Sequence, residues 1–295
     1  MKGPEWHNIV CFPENGEVTP FLYGGKEYLL RNCSALNNPE FKGKSDFAQI
    51  VDVENNTVIK EFFHGHYFNS LFCHNGVYHC FGALMGDSNG WKAHSIEQCF
   101  STDLVNWSEP VCICESENCL FNTAVTFDGR RFVMVTESDD PRYPKFTFNF
   151  LESEDLKNWR EIPGAIYGDK KYVGGPSIYY LPDDGYFYLT YVNRFTNPVT
   201  SAANYNTCIA RSRDLINYEE GIRPVINPDY EHCPQPETHP DVYDINASDA
   251  EFLEINGRVK CYCNGGNQNG VGDLKCGEFY GTLAELFQRF FEIRN

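Results

Sequence analysis

The stretch CFSTDLVNW at residues 99–107 returns as LESEDLKNW at 151–159 and as ARSRDLINY at 210–218. The shared core is Ser-x-Asp-Leu-x-Asn followed by Trp or Tyr. Self-similarity at intervals of tens of residues marks one supersecondary unit copied around an axis or along a solenoid. Asp and Ser in such a turn bond their own backbone, which leaves Leu and the aromatic residue free to pack between units. The motif therefore reads as scaffold.

A second repeat runs in step with it. It is an apolar-aromatic run, a turn ending in Gly, and another aromatic-rich run: TPFLYGGKEYLL (19–30), NSLFCHNGVYHCF (69–81), NTAVTFDGRRFVM (122–134), PSIYYLPDDGYFYLT (176–190) and DAEFLEINGRVKCYC (249–263). Asn-Gly or Asp-Gly between alternating apolar runs is a strong hairpin signal, because the turn needs positive φ at its centre. A further β-rich stretch follows each hairpin, and in the middle three it carries the Ser-x-Asp-Leu motif. The unit is thus four short strands, and five such units predict an all-β, five-bladed β-propeller of four-stranded antiparallel blades. The blades fall at about 17–63, 66–114, 119–168, 172–226 and 246–281, in one domain. The last unit ends in a helix, with Thr282-Leu-Ala-Glu285 as its capping box, and so lacks a fourth strand. The segment HNIVCF (7–12) has strand character and is expected to supply it, closing the ring.

The chain has 295 residues, 42% hydrophobic and 15% aromatic, and a net charge of −17. That balance makes nucleic acid and anionic membrane surfaces poor partners. The uncharged run from Phe62 to Gly86 is too interrupted by polar residues to span a bilayer. Thirteen Cys is an odd number for a disulfide framework. Together with an amino terminus that lacks an apolar signal stretch, it points to free thiols in a reducing cytoplasm. Cys112-x-Cys114 and Cys261-x-Cys263 put each pair on one strand face, which reads as core packing. His64 and His66 share that spacing, but no ligand spacing typical of zinc is present; no metal or cofactor is expected.

In a propeller the first strand of each blade lies nearest the axis, so first-strand starts and second-strand ends meet at one mouth. First-strand starts supply Glu17, Thr19, His66, Asn69, Ser70, Asn122, Gly174, Gly175, Asn246, Ser248 and Asp249. Second-strand ends supply Arg31, Glu137, Asn193, Arg194, Asn267 and Gln268. A mouth this polar suits a polyhydroxylated ligand. Asp249 and Glu137 are the candidate catalytic pair, two carboxyl groups that divide acid and base roles across a sugar. A separation of roughly 6.5–9.5 Å would fit inversion and about 5 Å retention. Glu251 shares the parity of Asp249 and is its substitute. His66 is either a sugar contact or a satisfied neighbour. The loops after the second strands bring Trp91, Lys92, His94, Arg142 and Tyr143 toward the same mouth.

Hairpins such as SIYYLPDDGYFYLTYV and turns such as STDLVNWSEP resemble the blade motifs of five-bladed propeller glycoside hydrolases. These are the family 43-like arabinanases, arabinofuranosidases and xylosidases, with fructosidases and neoagarobiose hydrolases as cousins. NASDAEFLEINGRVKCYCNGGNQNG and the helix after it resemble the ending of related propeller glycosylases. The resemblance runs from Thr19 to the carboxy terminus and implies a glycosidase without a cofactor. The family's catalytic set departs, however. Its base Asp precedes Pro in the first blade, where Thr19-Pro20 stands. Its second Asp starts another blade, where Ser70 stands, and its acid Glu precedes Gly-Pro, where this chain reads Gly174-Gly175-Pro176. None of the three carboxylates carries over. Two readings follow: a hydrolase of a small neutral oligosaccharide or glycoside using Asp249 and Glu137, or a non-catalytic carbohydrate-binding propeller.

Overall fold

Each Gly-turn hairpin forms, and each opens a sheet. At Asn75-Gly76 and Asn256-Gly257 both residues take positive φ (50° and 75°, 51° and 73°), the turn whose twist matches that of the flanking strands. The computed structural model describes all residues except 13–15, 36–37, 86–91, 198–200, 234 and 293–295. After β1 (His7–Phe12), the first blade is β2 (Val18–Tyr23), β3 (Lys26–Cys33), β4 (Phe47–Asp52) and β5 (Thr57–Phe62). The second is β6 (His66–His74), β7 (Val77–Leu84), β8 (Ser95–Ser101) and β9 (Val111–Glu115). The third is β10 (Leu120–Phe127), β11 (Phe132–Ser138), β12 (Thr147–Ser153) and β13 (Arg160–Tyr167). The fourth is β14 (Gly174–Leu181), β15 (Tyr186–Thr196), β16 (Ala203–Ser212) and β17 (Tyr218–Glu220). The fifth holds β18 (Ser248–Ile255), β19 (Arg258–Asn264) and β20 (Leu274–Tyr280). Its fourth strand is β1, antiparallel to β20 with Val10 opposite Cys276 and Phe12 opposite Leu274. The protein is an all-β, five-bladed propeller whose amino-terminal strand completes the last blade. The helix α1 (Leu283–Gln288) follows, with the reciprocal Thr282 and Glu285 bonds of a capping box.

The core is five apolar layers, one at each blade interface. The repeated turn fastens them. Ser101 Oγ accepts from the Leu104 N–H at 3.0 Å, and Asp103 Oδ1 from those of Val105 and Asn106 at 2.9 and 2.7 Å. The same bonds recur around Asp155 and Asp214, so these donors hold all three carboxyls below the usual range. The turn throws Leu104, Leu156 and Leu215 into left-handed conformations (φ 64°, 61° and 64°) and buries each of them. Each motif aromatic then packs on the preceding blade: Trp107 stacks on Phe62 at 4.0 Å, Trp159 meets Phe81 edge-on, and Tyr218 packs on Phe150 and Tyr167. Burying a Leu yields about 1.5–3 kcal/mol, enough to offset the roughly 1–2 kcal/mol cost of a left-handed residue. Leu215→Ala is accordingly expected to cost about 2–5 kcal/mol. Leu215→Gly should cost roughly 1 kcal/mol less than Ala, because glycine removes the backbone strain. Urea midpoints that rank Gly below Ala would refute this balance.

Four of the five first strands carry a register slip near their start, between Tyr67 and Ser70, Leu120 and Thr123, Gly174 and Ser177, and Ser248 and Glu251. Such bulges re-aim side chains, and here they do so at the axis. Phe68, Gly175 and Asp249, with φ of 56°, 49° and 51°, hold the same bulge position in three blades.

All 13 cysteines are free thiols. Cys261 and Cys263 are buried, as period-two spacing led us to expect. Cys112 is exposed and Cys114 half-buried, a correction to the core-packing reading, because β9 is the outermost strand of its blade. No helix among the described residues is long and apolar enough to cross a membrane.

Candidate active site on the propeller axis

The first strands converge on a cavity lined by Glu17, Thr19, Asn69, Ser70, Asn122, Thr123, Gly175, Ser177, Asp249 and Glu251. Its innermost space is about 20 Å³, room for one or two waters, so any larger ligand has to sit at the mouth. Below the mouth, Ser70 and Thr123 share a hydroxyl–hydroxyl bond of 3.0 Å, and Ser177 Oγ donates to the Ala250 carbonyl at 3.0 Å.

Glu137 sits opposite the bulge of its own blade. Its Oε2 accepts from Asn122 Nδ2 at 3.1 Å and, across the blade boundary, from the Gly175 N–H at 2.8 Å. Asp249 comes from the other side: a Cβ built on Gly175 would overlap Asp249 Oδ1. Gly175 is thus the spacer between two carboxyls that start 112 residues apart in the chain (249 − 137). Asp249 is braced by a relay of hydrogen bonds. Gln268 Nε2 donates to Asn246 Oδ1, Asn246 Nδ2 donates to Ser248 Oγ, both at 2.9 Å, and Ser248 Oγ bonds Asp249 Oδ2.

Four carboxyl groups share this small volume, and the electrostatics follow. Burial pushes Glu137 up to about 7, against the pull of its two hydrogen bonds. It pushes Glu251 to about 7 as well, against the hydrogen bond from Tyr179. Asp249 is raised by burial and held back by Ser248 and Asn264. Glu17 stands well above the carboxylate range, first through burial and then through Asp249, Glu137 and Glu251.

Of the residues read from the sequence, Glu17, Thr19, Asn69, Ser70, Asn122, Gly175, Asp249 and Glu251 line the cavity, Glu137 adjoins it through Asn122 and Gly175, and Asn246 and Ser248 brace Asp249. Several others stand apart. His66 is 3% exposed; its ring stacks on Phe63 at 3.8 Å, and its nitrogens meet the His64 carbonyl and Glu97. Arg31 bonds Gln49 and lines an apolar groove between the first and last blades. Asn267 braces its own turn through the N–H groups of Asn269 and Val271. Gln268 supports Asn246 as described, and Arg194 is exposed on β15. Among the loop residues, Lys92 and His94 are exposed, Arg142 is paired with Asp140, and Trp91 lies outside the described residues.

Sequence reasoning missed Tyr172. Its hydroxyl comes within 3.3 Å of a Cβ built on Gly174, and its ring meets Tyr205 and Phe146 at 6.1 and 6.2 Å. Its phenol is raised by burial and then by Glu137 and Asp249. The only available signal was its position just ahead of a first-strand start.

Solved glycoside hydrolases share this architecture. The exo-1,5-α-L-arabinanase from a bovine ruminal metagenomic library superposes with a TM-score of 0.62 at 12% identity, over 90% of this chain and 92% of that one. The native Bacillus subtilis arabinanase gives 0.61 at 14%, over 91% and 96%. The Podospora anserina α-L-arabinofuranosidase in complex with cellotriose gives 0.61 at 10%, over 90% and 91%. At these identities the likeness is one of fold. No protein-family model matches the chain, and no curated protein is significantly similar to it in sequence.

Proposed function

We propose that the chain is a glycoside hydrolase that cleaves a small neutral oligosaccharide or glycoside at the axial mouth, with Glu137 as the acid and Asp249 as the base. The observation that carries this reading is Gly175, which separates the two carboxyls while donating its N–H to one of them. Glu137, raised to about 7, keeps its proton near neutrality and can give it to the departing glycosidic oxygen. Asp249, facing hydrogen-bond donors, is the better anion and can take the proton of an attacking water. Glu17 stays neutral and offers a hydroxyl-binding group, and Tyr172 offers an apolar face for the ring. A substrate with its own negative charge would face the Asp249 anion with no Lys or Arg among the described residues lining the cavity, hence the neutral sugar. Free thiols throughout suit a reducing compartment, so a cytoplasmic enzyme acting on an imported oligosaccharide completes the reading.

The non-catalytic alternative draws on the hydroxyl–hydroxyl bond of Ser70 and Thr123, which stands where the resembling family has an acid. A panel of aryl glycosides and oligosaccharides separates the two. Asp249→Asn is expected to lower kcat by about 10²–10⁴-fold on whichever compound turns over, with the sheet signal in circular dichroism intact. Sugar binding by the wild type without turnover of any compound would favour the binding propeller.

A further inference from the structure

We propose that Cys11, His232 and Asp273 form a binding site for a zinc-class divalent metal ion. Their ligand atoms all lie within 4.8 Å of one another, and none of the three lines the axial cavity. They come from separate segments: Cys11 from the closing strand β1, His232 from the connection between the fourth and fifth blades, and Asp273 from the residue before β20. That separation is why no zinc-type spacing appears in the sequence.

The donor set argues for the metal class. Thiolate, imidazole and carboxylate together suit Zn²⁺ and its neighbours; Mg²⁺ and Ca²⁺ take oxygen. At usual bond lengths a tetrahedral ion spaces its ligand atoms by roughly 3.3–3.8 Å. His232 Nε2 and Asp273 Oδ2 are 2.9 Å apart, so a small spreading of the pair admits the ion. Three protein ligands leave the fourth position for water. Asp273 is 1% exposed, and its other oxygen, Oδ1, is buried without a hydrogen-bond partner. The nearby cation, Lys275, is paired with Asp244 and lies 3.7 Å from that oxygen.

An ion held there would pin β1 to the two segments beside it. The test uses the full chain, stripped with a chelator under reducing conditions and titrated with Co²⁺ alone. One equivalent should bind with a thiolate-to-cobalt charge-transfer absorption, and Zn²⁺ should bleach it. Cys11 is exposed, so Cys11→Ser should fold normally and lose the absorption, while His232→Ala should weaken binding by more than about 10-fold. Zn²⁺ should raise the melting temperature of the wild type and not that of Cys11→Ser. The pair Cys112 (exposed) and Cys114 (half-buried) on the outermost strand of its blade is the control: the double variant Cys112→Ser/Cys114→Ser should behave as wild type. Absence of the absorption, its survival in Cys11→Ser, or its loss in the Cys112/Cys114 variant would overturn the proposal.

Discussion

Glu137→Gln is expected to abolish most turnover and to make the protein more stable above neutral pH. On the activity side the loss of the proton donor should cost about 10²–10⁴-fold in kcat. On the stability side, a rise from 4.5 to about 7 means that the folded chain holds a proton the unfolded chain has released. Stability therefore falls as pH climbs from 4.5 through 7. At 1.36 kcal/mol per pH unit the folded state has lost roughly 3 kcal/mol by pH 8, and glutamine, which never ionises, avoids that loss. Its amide oxygen can still accept from Asn122 and Gly175. Melting curves of wild type and variant should coincide near pH 4 and diverge toward pH 8, with the variant higher. Equal melting temperatures at pH 8, or an offset independent of pH, would remove the buried-acid account. Wild-type activity should fall above about pH 7 for the same reason. A site that is most stable once disarmed is the usual mark of function held against stability.

Gly175→Ala is the second large effect, and it tests the geometry with no change of charge. The residue has φ of 49°, which costs an alanine about 1–2 kcal/mol. Its new methyl would overlap Asp249 and lie 3.2 Å from Val192 Cγ2. Asp249 must then move. A displacement on the order of 1 Å in a catalytic group costs about 10²-fold, so kcat should drop by that order while KM changes little. Gly164→Ala is the matched control. It too has positive φ, 76°, but a Cβ there meets nothing within 4 Å, so it should lose stability and keep activity. Equal activity losses in the two variants would mean that Gly175 acts through the backbone alone.

How much of this was open to inspection in the sequence depended on the range of the interaction. The hairpins were legible because the turn and its alternating flanks are local. The Ser-x-Asp-Leu turns were legible for the same reason, and the capping box needs only four residues. Strand ends read less well. His66 and Arg31 have the right distance along their strands, yet Phe63, with φ of 55°, brings its ring onto His66, and Gln49 holds Arg31. Bulges shift the parity that alternation relies on, and nothing local announces a bulge unless glycine fills it. Tyr172 precedes its strand and has no periodic context. The cluster of Cys11, His232 and Asp273 is assembled by closure alone, so no spacing rule could reveal it.

The seam between the first and last blades has consequences for how the chain is made. Among the described residues its apolar layer is the smallest of the five, built on Val18, Leu29, Val51, Tyr262, Leu274 and Cys276, with Glu27 reaching over to Lys260 and Tyr262. β1 is synthesised before all five hairpins, and its partner β20 only after them. Throughout elongation an exposed strand carrying Ile9 and Val10 waits with unpaired amides, a template for aggregation. A nascent chain halted before residue 274 would hold four finished blades and no closed ring.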